Sequence, residues 1–272
     1  MDRYCVFGNP IAHSKSPEIH AAYAAQTGQQ LSYERRLAPV DGFAQAVREF
    51  IAEGGKGANV TLPFKLDAHK LADALTMRAQ AAGAVNTLVF GPDGIIGDNT
   101  DGAGLVADIV RNAGVPIAGK RVLMLGAGGA ARGAVLPILE ERPAALVIAN
   151  RTVATAEALV QQFAALAGEG VLSSSGFESL QGSFDIVINA TSASLNAALP
   201  PIPAAVFHQG TLALDMMYGK EPTVFMHFAA EHGATVRDGL GMLIEQAAEA
   251  FYGWRGVRPD TSALLVQMRS KL

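Results

Sequence analysis

Apolar positions along this chain come in short runs separated by amphipathic stretches. In the first hundred residues the runs at 4–7, 31–37 and 58–61 have strand length, while positions 17–26 and 43–51 repeat apolar residues at helical spacing. The predicted order is βαβαβ. Ser16 ahead of Pro17 and Glu18 predicts a helix start, because a serine hydroxyl caps free backbone amides and proline tolerates the first turn. Residues 84–90 and 95–96 flank GPDG, a turn sequence, and so predict a hairpin. From Gly104 the pattern LVADIVRNAG reads as a helix ending at a glycine, and residues 121–125 then open a second series. Further strands are expected at 145–149, 171–173, 184–189 and 211–215, separated by helical or glycine-rich segments, as in a parallel sheet; the final segment is helical again. The fold class is therefore α/β in two lobes, with a boundary between residues 103 and 104.

Composition narrows the class. A chain of 272 residues that is 50% hydrophobic is long enough for two cores of ordinary size. With 21 Lys plus Arg against 25 Asp plus Glu, the net charge of −4 provides no positive field for a polyphosphate backbone, so nucleic acid is not expected as a partner. The single cysteine, Cys5, lies in the apolar run YCVFG and reads as a small buried hydrophobe, which fits a reducing compartment. No run approaches the roughly 18 apolar residues of a membrane helix. A soluble, cytoplasmic protein without membrane contact is expected. His227 and His232 lack one-face spacing and there is no cysteine cluster, so no metal is expected; His13, a loop histidine, is given no role.

The clearest chemistry lies in RVLMLGAGGAARGAVLPIL. An apolar strand runs into Gly126, Gly128 and Ala131, spaced GxGxxA, and then into a helix. Glycines there admit a pyrophosphate to the backbone, and the helix start offers amides to the anion. The next strand, AALVIANRT, ends in Asn150, Arg151 and Thr152, where a dinucleotide fold reads the adenosine ribose. A carboxylate there would repel a 2′-phosphate, whereas the Arg151 guanidinium pairs with one. NADP is expected over NAD.

Further words stand in order along the chain: SKSP (14–17), GANVTLPFK (57–65), GAVNT (83–87), GDNTDG (97–102) and, after GAGGAAR and NRT, the set INATS (188–192), DMMY (215–218) and DGLGMLIEQ (238–246). Together they resemble the shikimate dehydrogenases over nearly the whole chain. The resemblance implies an N-terminal α/β substrate-binding domain (1–103), with residues 241–272 packing back onto it, and a Rossmann-like dinucleotide domain (104–240), with the substrate in a cleft between the lobes. It implies reversible NADPH-linked reduction of 3-dehydroshikimate to shikimate, on the route to chorismate and the aromatic amino acids. Matched residue by residue, Lys65 and Asp101 are catalytic. Ser14, Ser16 and Tyr218 contact the substrate carboxylate, and Asn59, Thr61, Asn86 and Gln246 surround its ring hydroxyls. The cofactor set is Gly126, Ala127, Gly128, Gly129, Ala130, Asn150, Arg151, Thr152, Thr191, Met216, Gly239 and Met242.

The residue types suit that reaction. Hydride arriving at a carbonyl carbon pushes charge onto oxygen, and a lysine that donates a hydrogen bond and then a proton lowers the barrier. Taken singly, Lys65 reads as a solvated lysine, Asp101 as a helix cap, and the two serines as caps as well. Only the whole set reverses this. In one place the chain departs from the family: many members carry a second basic residue just beyond NRT, where this chain has Ala154 and Thr155, so the margin of NADP over NAD is expected to be narrower. The rivals are a quinate or dual shikimate/quinate dehydrogenase using NAD, and a noncatalytic ligand sensor. Retention of Lys65 and Asp101 and the lack of an added partner domain weigh against the sensor; monomer and homodimer both stay open.

Overall fold

The computed structural model describes residues 1–196 and 198–272, in two compact units. The first comprises Met1–Gly104 and Ile244–Met268, and the second Leu105–Leu243 and Arg269–Leu272.

In the first unit the expected βαβαβ start is β1 (Asp2–Gly8), α1 (Ser16–Thr27), β2 (Leu31–Leu37), α2 (Phe43–Ala52) and β3 (Gly55–Val60). After α3 (Lys65–Leu71), β4 (Ala74–Leu75) and α4 (Met77–Ala82) comes the predicted hairpin, β5 (Thr87–Gly91) with β6 (Gly94–Asp98). Gly94 sits at φ +121, a conformation that excludes most side chains. The sheet order is β2-β1-β3-β5-β6-β4, parallel about β1 and antiparallel from β3 through β6. Cys5, Phe7, Phe43, Phe50 and Phe64 pack in its core.

Three expectations shift here. The strand expected from residue 84 starts at Thr87; before it the Val85 amide bonds Lys65 O rather than the partner strand. The helix expected from Gly104 begins earlier, as α5 (Asp101–Ala107), and continues as a π-helical turn over Asp108–Asn112. Ser16 does not cap α1: it is the first helical residue, and its own amide donates to Ser14 Oγ at 3.3 Å.

The second unit holds β7 (Arg121–Leu125), α6 (Gly129–Glu140), β8 (Ala145–Ala149), α7 (Val153–Phe163), β9 (Leu172–Ser175), β10 (Ile186–Asn189), β11 (Leu212–Asp215), α8 (Val224–Glu231) and β12 (Thr235–Arg237). All six strands are parallel, in the order β12-β11-β10-β7-β8-β9. Counted from β7, that is the doubly wound dinucleotide-binding order, which reverses between β7 and β10. Such reversals open a crevice at the strand ends.

The chain leaves the first unit near the start of α5 and re-enters it within α9 (Leu240–Arg255), followed by α10 (Ser262–Arg269). Within the first unit α9 is tied to the sheet region by Tyr23 Oη to Ile244 O at 2.8 Å, Trp254 Nε1 to Leu88 O at 3.1 Å, and an Arg255–Asp2 ion pair. Gly57 leaves space for that indole: a Cβ there would lie 2.5 Å from Trp254 Nε1. No helix among the described residues is long and apolar enough to cross a membrane.

Candidate functional site

In the first unit, five of the predicted residues, Asn59, Lys65, Asn86, Asp101 and Gln246, lie in one connected system of polar side chains. Phe64, fully buried and stacked on Phe43 at 4.8 Å, fixes the start of α3, and Lys65 follows it. Lys65 Nζ donates to Asp101 Oδ2 at 2.6 Å. Asp101 opens α5, its amide held by Asn99 Oδ1, and its Oδ1 accepts from Asn86 Nδ2 at 2.8 Å. Asn86 Nδ2 also meets Gln246 Oε1 at 3.3 Å.

Backbone groups dictate which way the amides point. The Thr100 amide can only donate, and it donates to Asn86 Oδ1 at 2.9 Å, so the Asn86 NH2 group must face Asp101. Thr87 Oγ1 donates to the same oxygen at 2.9 Å and accepts from Asn59 Nδ2 at 3.0 Å. The Asn86 carbonyl can only accept, and it takes Asn59 Nδ2 at 3.3 Å. Asn59 Oδ1 therefore receives the Tyr33 hydroxyl at 2.7 Å and His20 Nε2 at 3.1 Å. His20 is thus the Nε2–H tautomer, its buried Nδ1 has no partner, and burial lowers its pKa to about 3 against the opposing effect of the hydrogen bond it donates to Asn59. Burial likewise pushes the Tyr33 phenol well above its ordinary value. Asn59, expected to touch a ligand, has both amide hydrogens and its oxygen engaged inside the protein.

Scaffolding surrounds this lattice. Arg78 forks onto Asp98 at 2.7 and 2.5 Å and reaches Glu249 at 2.9 Å, tying β6 to α9 one turn from Gln246. Burial would raise the Asp98 carboxyl, but the Arg78 hydrogen bonds and charge outweigh it and hold the group low. Ser14 and Ser16 form a pair, hydroxyl to hydroxyl at 3.2 Å. Thr61, following β3, bonds Phe7 O through its amide.

In the second unit a cleft of about 650 Å³ opens where the strand order reverses. Of the predicted cofactor residues, Gly126, Ala127, Gly128, Gly129, Ala130, Asn150, Arg151 and Thr191 line it. Thr152, Met216, Gly239 and Met242 do not. Sequence reasoning passed over Phe177, Ala198, Leu199, Pro200 and Pro201, which with Ala190, Ser192 and Ala193 beside Thr191 form the rest of the wall; apolar loop residues carry no local signal of a cleft.

Gly126 has φ +102, and a Cβ there would meet Thr191 Cγ2 at 3.1 Å and the Ala190 backbone at 3.2 Å. At Gly128 and Gly129 a Cβ would meet nothing within 4 Å. Protein packing does not require glycine at those two positions; the missing side chains leave the backbone open to an approaching anion. The first intrahelical bond of α6 runs from Arg132 N to Gly128 O, which leaves the amides before it to the cleft. Thr191 is held by Asn189 Oδ1, which accepts its amide at 3.1 Å and its hydroxyl at 2.7 Å. Asn189 is anchored in turn on Asp215, a fully buried carboxylate that also accepts from Ser194 at 2.6 Å and Thr223 at 2.7 Å.

Met216 and Gly239 meet elsewhere in this unit, where a Cβ on Gly239 would lie 2.1 Å from Met216 O. Tyr218 is 37% exposed, and its phenol is raised by burial and by Asp238. Among the described residues no group of three or more His, Cys, Asp or Glu could hold a metal ion.

Comparison with known proteins agrees over the whole chain. Models of the shikimate dehydrogenase substrate binding domain, of shikimate/quinate 5-dehydrogenase and of the shikimate 5′-dehydrogenase C-terminal domain match residues 6–88, 108–199 and 239–265. A shikimate dehydrogenase (NADP(+)) of Janthinobacterium sp. (strain Marseille) is 63% identical, covering 100% of this chain and 98% of its own. The crystal structure of an Ael1 enzyme from Pseudomonas putida superposes with a TM-score of 0.95 at 52% identity, over 98% of each chain. That of a Thermus thermophilus shikimate 5-dehydrogenase in complex with NADP(H) and shikimate gives 0.87 at 32% identity, over 100% of both.

Proposed function

Since the chain belongs to the shikimate dehydrogenase family, we propose that it catalyses the reversible, NADP-linked interconversion of 3-dehydroshikimate and shikimate. The observation that carries this reading from the chain's own residues is the Lys65–Asp101 contact at 2.6 Å, embedded in a lattice whose donors and acceptors are fixed by backbone groups.

A nicotinamide dinucleotide held at Gly126–Ala130 and Arg151 would supply or accept the hydride. In reduction, Lys65 donates a hydrogen bond to the substrate carbonyl oxygen and then a proton as charge gathers there. In oxidation the neutral amine takes the hydroxyl proton while the carbon gives up its hydride. Asp101 accepts from Lys65 and so holds the Nζ donors in a fixed direction; Asn86, unable to flip, holds Asp101. Thr61 and Gln246 meet the ring hydroxyls, whereas Asn59 and Asn86, both buried with their amide groups engaged inside the protein, act from behind them. The paired hydroxyls of Ser14 and Ser16 donate to the carboxylate.

The second unit's cleft fits the cofactor. The open space at Gly128 and Gly129 and the free helix amides suit a pyrophosphate, and Arg151 suits a 2′-phosphate. The setting is the cytoplasm, in the synthesis of aromatic amino acids.

The test follows reduced cofactor by absorbance while purified protein oxidises shikimate or quinate with NADP+ or NAD+. Shikimate with NADP+ is expected to give the highest kcat/KM. Equal efficiency with NAD+ overturns the cofactor assignment, and stronger activity on quinate overturns the substrate.

A further inference from the structure

The pleat of β2 separates its charges. Successive strand residues face opposite sides, so Tyr33 and Arg35 share one face while Glu34 and Arg36 share the other. On the second face the charges cancel: Arg36 pairs with Glu34 and Glu53, and Arg3 joins the same two carboxylates. On the first face Tyr33 reaches Asn59 of the lattice, and Arg35 directs both Nε and Nη2 onto one backbone oxygen, that of Ser14, at 2.9 and 2.6 Å. Among the described residues no carboxylate pairs with Arg35. A charge that its neighbours neutralise on one side of the strand is left uncompensated on the other.

Ser14 is held from two directions, since its amide also closes a turn onto Ile11 O at 3.1 Å. The fork therefore fixes the residue whose hydroxyl meets Ser16. Hydroxyls accept as readily as they donate, so a serine pair by itself favours an anion only weakly over a neutral ester or amide. A guanidinium anchored on the same residue stands well inside the screening length of about 8 Å at physiological ionic strength, and it tips that choice.

Resting on the activity proposed above, we infer that Arg35 is a positioning and specificity-determining residue for the anionic end of the substrate. It sets the Ser14–Ser16 pair and supplies the positive field that makes a carboxylate, rather than a neutral group, the preferred occupant.

The test compares shikimate with its methyl ester, which keeps the ring and loses the charge, in wild type, Arg35→Met and Arg35→Lys, with thermal melts to confirm folding. Arg35→Met is expected to raise KM for shikimate about three- to tenfold, with kcat within about twofold. Its KM for the ester should move far less, so the acid-over-ester preference falls, and added salt should depress its kcat/KM less steeply. Arg35→Lys, which keeps the charge without the fork, should recover most of the preference. An unchanged acid-to-ester ratio in Arg35→Met overturns the inference, including the case of equal losses on both substrates, which marks a loop-holding role alone. Failure of Arg35→Lys to restore the preference overturns it as well. If wild type turns over neither acid nor ester, the activity reading itself fails and takes this inference with it; wild-type turnover with an unchanged ratio in the variant sinks the inference alone.

Discussion

The two units build their sites in opposite ways. In the first, the residues assigned to the chemistry are side chains, and each is locked by another: Lys65 on Asp101, Asp101 on Asn86, Asn86 on Thr87 and the Thr100 amide, Thr87 on Asn59. In the second, the cleft is shaped by missing side chains, and the groups assigned to binding are backbone amides at the start of α6. Removing atoms should therefore damage the first site, and adding them should damage the second. The same contrast says where damage stops: a lattice fault should leave cofactor binding alone, and a filled cradle should leave shikimate binding alone.

The largest effect tests the lattice at its acid end. Asp101→Asn should lower kcat by about 10²- to 10⁴-fold with the melting temperature and NADP+ affinity little changed, because it replaces the acceptor that fixes Lys65. A similar loss of NADP+ affinity would break the separation of the two sites. Next comes the cradle. Gly128→Ala should fold normally, since its Cβ meets no protein atom, yet weaken NADP+ binding by roughly 10- to 100-fold by intruding where the phosphate approaches. Gly126→Ala should instead lower the melting temperature, because φ is +102 and Thr191 stands 3.1 Å away. If calorimetry finds NADP+ bound normally by Gly128→Ala, the open space serves another purpose.

A smaller effect sharpens the lattice side. Thr87→Val removes the relay between two asparagines without changing shape, and should cost about tenfold in kcat/KM for shikimate, while Thr87→Ser keeps activity. Equal behaviour of the two variants would mean that the hydroxyl carries nothing. His20 gives the pH signature. Its pKa lies near 3 when folded against an ordinary 6.5, so the unfolded chain binds the extra proton first. That contribution is complete above about pH 6.5 and drains by about 1.4 kcal/mol per pH unit as acidity increases toward pH 3. Urea unfolding between pH 7 and pH 4 should show a shallower acid loss in His20→Gln than in wild type, and matching slopes would contradict the buried neutral imidazole. Smallest is Thr155→Arg in the first turn of α7, which should raise the NADP+ over NAD+ preference severalfold by restoring a second cation near Arg151; no change in the ratio of kcat/KM values would place that turn away from the phosphate.

Legibility in the sequence follows the same divide. Long periodic elements declared themselves: the βαβαβ start, the GPDG hairpin and the glycine turn after β7 all stand where pattern placed them, give or take a strand end. β4 and β12 were missed because two or three residues carry no period. The cradle was readable because its residues are contiguous and its glycines conspicuous. The lattice was readable only in part. Lys65, Asn86 and Asp101 stood out through the family words; Thr87, though it ends the word GAVNT, was given no role, and Tyr33 and His20 lay outside every word, since their importance lies in pairings with Asn59, 26 and 39 positions away. The helix cap assigned to Ser16 failed for a local reason: Ser16 is already the first helical residue, Lys15 holds the cap position, and Ser16's own amide goes to Ser14.

The most direct test is a single-turnover reaction of Lys65→Ala with saturating 3-dehydroshikimate and NADPH, set beside calorimetry of shikimate binding to the same protein. The account predicts shikimate bound within a few-fold of wild type and an NADPH oxidation step slowed by about three orders of magnitude. A step as fast as wild type, with shikimate still bound, would remove Lys65 from the proton transfer and contradict the lattice as the seat of the chemistry.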